Sequence, residues 1–158
     1  MWEFQHTQTT TATPAQLWAH YTHPESWSEW DEGTEYARVD GVFAVGSTGT
    51  LKPVGGPKTT FRLEEVTEEV SFTDVTRLPL AKLRFSHRIE TAGEVATLVH
   101  RVEITGLLSP LFARVIGKNV AAGLPDAMRR LAELAEKELA EPVEALELQT
   151  AAALVGKD

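Results

Sequence analysis

The 158 residues, 42% hydrophobic and 24% charged, suit one folded domain with a substantial core and not a disordered segment. The net charge is -8 and the basic residues are scattered, with Arg129-Arg130 the only adjacent pair; this argues against nucleic acid as a partner, because phosphate contacts need clustered Lys and Arg. The lack of cysteine removes disulfides, thiolate catalysis and Cys-ligated zinc in one step.

The stretch Trp2–Thr10 alternates in polarity and is rich in β-branched residues, which predicts a first strand. Its start, Met1-Trp2-Glu3-Phe4-Gln5-His6, has neither the basic cluster nor the apolar run of a signal peptide. No stretch of the chain approaches the roughly 20 apolar residues that cross a bilayer, so a cytoplasmic protein without stable membrane insertion is expected. Thr13-Pro14-Ala15-Gln16 predicts a helix start, with Thr13 as cap, proline in the first turn and Gln16 completing a capping box. The helix runs to about Tyr21, with Leu17, Trp18 and Tyr21 on one face. His23-Pro24-Glu25 opens a further short turn carrying Trp27 and Trp30.

Between residues 34 and 105 strands and turns alternate, punctuated by Gly41, Gly46, Gly49 and Gly55-Gly56-Pro57. Strands are predicted over 36–39, Thr48–Pro53, 59–66 and 70–77, with Glu68-Glu69 as a tight turn. The clearest hairpin joins 81–90 to 94–105. A two-residue turn at Ala92-Gly93 pairs His87 with Leu98, Phe85 with His100 and Leu83 with Val102. Leu83, Phe85, His87 and Ile89 then share a face with Leu98, His100, Val102 and Ile104, while the charged residues occupy the other face; a one-residue slip would invert both strands.

Ser109-Pro110 predicts the start of the last helix. Phe112, Ile116, Val120, Leu124, Met128, Leu131 and Ala135 follow at helical spacing as a buried stripe. Gly123 and Pro125 interrupt it, and a kink near Gly123 is expected because a helical proline removes a hydrogen bond. After Glu141-Pro142 the chain is weakly amphipathic and alanine-rich. The expected organisation is one domain over 1–140 and a partly helical or frayed tail over 141–158, with no internal repeat.

This order of elements resembles the helix-grip fold of the START-like superfamily, which includes polyketide cyclase/dehydrase-type and plant-allergen-type proteins. Pro24-Glu25-Ser26-Trp27-Ser28-Glu29-Trp30-Asp31 is similar to that superfamily's Pro-x-x-Trp-x-x-Trp-Asp element. Val45-Gly46-Ser47-Thr48-Gly49 is similar to its glycine-containing turn, and Thr105-Gly106-Leu107-Leu108-Ser109-Pro110-Leu111 to its passage from the last hairpin into the long helix. The resemblance spans about residues 2 to 140. It implies an α+β fold in which a curved antiparallel sheet of about seven strands wraps a long C-terminal helix around an apolar cavity. None of these elements is catalytic, and the fold serves transport, cyclisation and sensing alike.

The residues expected at the cavity are Phe72, Phe85, His87, Leu98, His100 and Val102 from the strands and Ile116, Val120 and Leu124 from the helix. Trp18, Trp27 and Trp30 are expected to close one end. Plain core packing is the competing reading for the aromatics. His87 and His100 project from an otherwise apolar face, where an imidazole can act as acid or base, or anchor a ligand carbonyl. The competing reading is two core histidines satisfied by Asp74, Thr76 or a backbone carbonyl. Asp74 shares the parity of Phe72 and, if it points inward, would make an Asp–His base. The five histidines lack metal-ligand spacing, and neither a phosphate-cradling loop nor a serine-hydrolase elbow occurs, so no metal and no cofactor is expected.

The leading expectation is a binding protein for a small apolar or aromatic ligand, polyketide-like or lipid-like. A cyclase/dehydratase-type enzyme using His87 or His100, without a redox cofactor, is the second. A protein-interaction module working through a surface such as Leu107, Leu108 and Leu111 is the third. A homodimer is left open.

Overall fold

A computed structural model describes the backbone of residues 1–155 and the side chains of residues 1–138. Seven strands, β1 (Trp2–Thr10), β2 (Thr34–Val39), β3 (Thr48–Pro53), β4 (Thr59–Thr67), β5 (Ser71–Leu78), β6 (Ala81–Ala92) and β7 (Val95–Gly106), form one sheet in the order β1-β7-β6-β5-β4-β3-β2. Every neighbouring pair is antiparallel, and the sheet curves into a half-barrel. Between β1 and β2 lie α1 (Pro14–Tyr21), a 3₁₀ turn (Pro24–Ser26) and α2 (Trp27–Trp30). After β7 come α3 (Ser109–Phe112), a π-helical turn (Ala113–Gly117) and α4 (Lys118–Val155). α4 lies along the concave face, against β1, α1 and α2.

The local signals act as the sequence predicts at the start of α1. Thr13 Oγ1 accepts from the Gln16 amide at 3.3 Å, and Gln16 Oε1 accepts from the Thr13 amide at 3.0 Å, so each satisfies an otherwise orphan donor. The β6–β7 hairpin differs from its predicted register. The turn is Gly93-Glu94, and the pairs are His87 with His100, Phe85 with Val102 and Leu83 with Ile104. Gly93 has φ +64, the first-position glycine of a type II′ turn, whose twist matches that of the flanking strands. The slip is two residues, so the inward face is unchanged, but His87 and His100 stand directly opposite each other and not on a diagonal.

The final helix also differs. The helix continues through Gly123 and Pro125, although the proline nitrogen has no proton to donate, and the departure from α geometry lies earlier, at Ala113–Gly117. There the Trp2 ring rests on the helix backbone: a Cβ on Gly117 would sit 3.0 Å from it. A wide ring seated on a helix without a side chain is accommodated by one expanded turn. The backbone stays helical to Val155, and the side chains of 139–158, with the expected tail, lie outside the described residues.

The two ends of the half-barrel are filled differently. At the end carrying the Gly93-Glu94 turn, Leu17, Leu98, Met128 and Leu131 are fully buried. At the other end the β5–β6 turn meets the start of α3, with the Leu108 amide donating to Leu80 O at 3.2 Å. Here Val102 and Ile104 of β7 are fully buried, while the inward-facing Trp2, Phe4, Leu83, Phe85, Ile116 and Val120 around them are only half-buried.

Candidate functional site

Strand alternation sends every second side chain of β1, β7, β6 and β5 onto the concave face. The register aligns His6, His100, His87 and Phe72 as successive neighbours across four strands. His87 is sandwiched in this row: its ring stacks on Phe72 at 4.0 Å between centroids and lies 4.3 Å from Phe85 and 4.6 Å from His100. From above, α1 lowers Tyr21 onto the row, its hydroxyl 2.6 Å from His100 Nε2. Trp18 meets Tyr21 and Phe72 edge-on, Trp27 stacks on Phe61 and Phe72, and Phe43 of the β2–β3 loop covers Phe72.

Lack of water disfavours the charged form of every polar group in this cluster. Burial pushes the Tyr21 phenol well above its ordinary value, so it keeps its proton. The same desolvation, with the neighbouring His6, lowers His100 to about 3. Burial and the charge of His100 hold His87 well below its ordinary value, partly countered by the Phe72 backbone. Asp74, one strand over from Phe85, is lifted by burial to about 7, partly countered by a backbone hydrogen bond. Its Oδ2 lies 4.0 Å from His87 Nδ1, which is too long for a hydrogen bond. Tyr21 keeps its proton and shares a hydrogen bond with His100 Nε2, donating in the tautomer whose ring proton sits on Nδ1 and accepting in the other. The Nδ1 atoms of both His87 and His100 are buried without a hydrogen-bond partner among the described residues. Two orphan polar atoms side by side in a core are costly, at about 1–3 kcal/mol each.

The structure brings together Trp18, Trp27, Phe72, Asp74, Phe85, His87 and His100, with Leu98 and Val102 fully buried on β7 beside them. Ile116 and Val120 face the sheet half-buried, and Leu124 is buried one turn on. Trp30 is buried where α2 packs on α4, outside this ring cluster. Tyr21, His6 and Phe43 were not among the expected site residues. The first two were legible: Tyr21 shares the α1 face of Leu17 and Trp18, and His6 shares the parity of Trp2 and Phe4. Phe43, in an irregular loop, carries no such signal. Among the described residues no group of three or more His, Asp or Glu is arranged to hold a metal ion.

A family model described as polyketide cyclase / dehydrase and lipid transport matches residues 1–136. The chain belongs to this family. No curated protein matches it by sequence. Among solved structures, the di-domain ARO/CYC StfQ of the steffimycin biosynthetic pathway is similar at TM-score 0.70 and 12% identity, over 87% of this chain and 51% of that one. Norcoclaurine synthase from Thalictrum flavum, solved with dopamine and hydroxybenzaldehyde, is similar at TM-score 0.64 and 15% identity, over 86% and 87% of the two chains. A protein from Chromobacterium violaceum is similar at TM-score 0.63 and 18% identity, over 85% and 96%. At these identities the likeness is one of fold.

Proposed function

We propose that this member of the polyketide cyclase / dehydrase and lipid transport family binds a small, mostly apolar molecule between the concave sheet and the long helix. The ligand lies against Leu83, Phe85, Ile116 and Val120, with Val102 and Leu124 behind them, and its inner end is directed toward His87 and His100. One observation carries the reading: inward-facing apolar side chains at one end remain half-exposed, so solvent reaches a surface that the fold otherwise covers. The second support is the pair of orphan Nδ1 atoms. In the tautomer with its proton on Nδ1, His100 would donate to a ligand oxygen, which favours a carbonyl or hydroxyl on an otherwise apolar skeleton. Trp18, Trp27 and Phe72 form the wall behind the histidines.

An acid–base role is the second reading, and Asp74 favours it. A carboxyl that titrates at about 7, placed 4.0 Å from an imidazole, is suited to moving one proton on an enolisable ligand. The two readings separate on one experiment. Native mass spectrometry of the purified protein, followed by denaturation, is expected to release a stoichiometric apolar compound. The variants His87→Gln and His100→Gln are expected to bind that compound with affinity lowered by about tenfold at most, the loss of one hydrogen bond. A carrier then returns it unchanged, and an enzyme loses turnover while still binding. An empty protein that gains no thermal stability from aromatic and acyl compounds counts against both.

A further inference from the structure

The half-open end of the barrel carries an apolar tip that the ligand reading leaves unused. Leu80 of the β5–β6 turn is 67% exposed, Leu107 of the β7–α3 connection 79%, Leu111 of α3 52% and Val115 of the π-helical turn 57%. They are contiguous: Ala81 pairs with Gly106, the Leu108 amide donates to Leu80 O, and Leu111 and Val115 follow within two helical turns. Leu108 itself is half-buried in that junction.

The charges around this tip run against those of the whole chain. No Asp or Glu occurs between Asp74 and Glu90, or between Glu103 and Asp126, in a chain with 23 acidic residues against 15 basic. The same two stretches supply Arg77 and Lys82, paired across the β5–β6 hairpin beside Leu80, and Arg114 and Lys118, one turn from Leu111 and Val115. All four are exposed, and none forms an ion pair among the described residues. Exposed basic side chains set among exposed apolar ones and lacking carboxylate partners fit an anionic surface with an apolar layer beneath it.

From this charge pattern we infer that the tip docks the protein peripherally on anionic phospholipid bilayers. Leu80, Leu107, Leu111 and Val115 enter the headgroup–acyl boundary, and Arg77, Lys82, Arg114 and Lys118 meet lipid phosphates. Among the described residues no helix is long and apolar enough to cross a membrane, and the docking inferred here is superficial. It also sets the half-exposed Leu83, Phe85, Ile116 and Val120 next to the lipid, where an apolar molecule could pass without entering water. The docking claim stands on exposure and charge and does not depend on a ligand being held.

The test is flotation of the full chain with phosphatidylcholine vesicles containing phosphatidylglycerol, against vesicles of phosphatidylcholine alone. The wild type is expected to float with the first and not the second, and to be released by added salt. Leu107→Ser with Leu111→Ser removes exposed side chains only, so folding is retained, and binding is expected to fall at least about tenfold. Lys82→Glu with Arg114→Glu is expected to abolish the preference for phosphatidylglycerol. Failure of the wild type to float, equal flotation with both vesicles, or full flotation of the serine variant overturns the inference. So does a wild-type dimer in sedimentation that the serine substitutions dissolve without any vesicle binding, because the patch would then face a second copy.

Discussion

At the scale of single residues, Asp74 and His100 impose opposite pH dependences on the same core. In the unfolded chain Asp74 ionises near 3.9, whereas in the folded protein it holds its proton to about 7. Its contribution to stability is therefore complete below about pH 4 and is lost as pH rises to about 7. His100 is the reverse: it charges near 6.5 when unfolded but at about 3 when folded, so stability is complete above about 6.5 and is lost as pH falls toward 3. Asp74→Asn keeps the shape and removes the first effect. At pH near 8 it is expected to be more stable than the wild type by about 2–4 kcal/mol, with the gain vanishing near pH 4. Urea unfolding across that range reads the difference, and an unchanged profile would remove Asp74 from the core described above. How much of this was legible differs by residue. The inward parity of His87, His100 and Asp74 could be read from alternation alone. Their shifted ionisation could not, because it follows from Tyr21, Phe72 and Trp18 shutting out water, and no sequence spacing reports that α1 folds down onto the sheet.

At the scale of elements, two glycines give opposite expectations. Gly49 of β3 faces Gly-sized space: a Cβ there would lie 2.3 Å from Phe61 Cζ and 2.4 Å from Arg38 O. Phe61 is 2% exposed and stacked under Trp27, so it cannot withdraw. Gly49→Ala is expected to lose about 1–3 kcal/mol. Gly123 lies in α4, is exposed, and has nothing within 4 Å of a new Cβ. Gly123→Ala is expected to gain up to about 1 kcal/mol from backbone entropy. A loss there would mean that the backbone is bent at this point after all. The two glycines also mark where sequence reading stopped. A proline two residues from a glycine invites a kink, but the irregular turn lies at Ala113–Gly117, where Trp2, more than a hundred positions away in sequence, packs against Gly117. The β6–β7 hairpin is the matching case. Polarity fixed the face of both strands, while choosing between Ala92-Gly93 and Gly93-Glu94 required the type II′ preference for glycine in first position.

At the scale of the whole molecule, the uneven filling of the half-barrel separates stability from binding. Phe72 is 1% exposed and touches Trp18, Tyr21, Trp27, Phe43 and His87, so Phe72→Ala opens a hole the neighbours cannot close. A loss of about 3–5 kcal/mol is expected. Leu83 faces the same concave surface from β6 but is half-buried, opposite Ile104 and Thr76. Leu83→Trp enlarges a side chain that is not closed in by the core, and its cost is expected to stay within about 1 kcal/mol. The indole would occupy the volume assigned above to the ligand, so affinity for the compound released in mass spectrometry is expected to fall by at least about tenfold. Measuring urea unfolding and ligand titration on both variants reads the two effects independently. If Leu83→Trp unfolds like Phe72→Ala, the open end is core, and the half-exposure of Phe85, Ile116 and Val120 is ordinary surface. If it stays stable and binds normally, the ligand lies elsewhere. A stable variant that no longer binds places the working volume of this fold where the chain leaves its own interior unfilled.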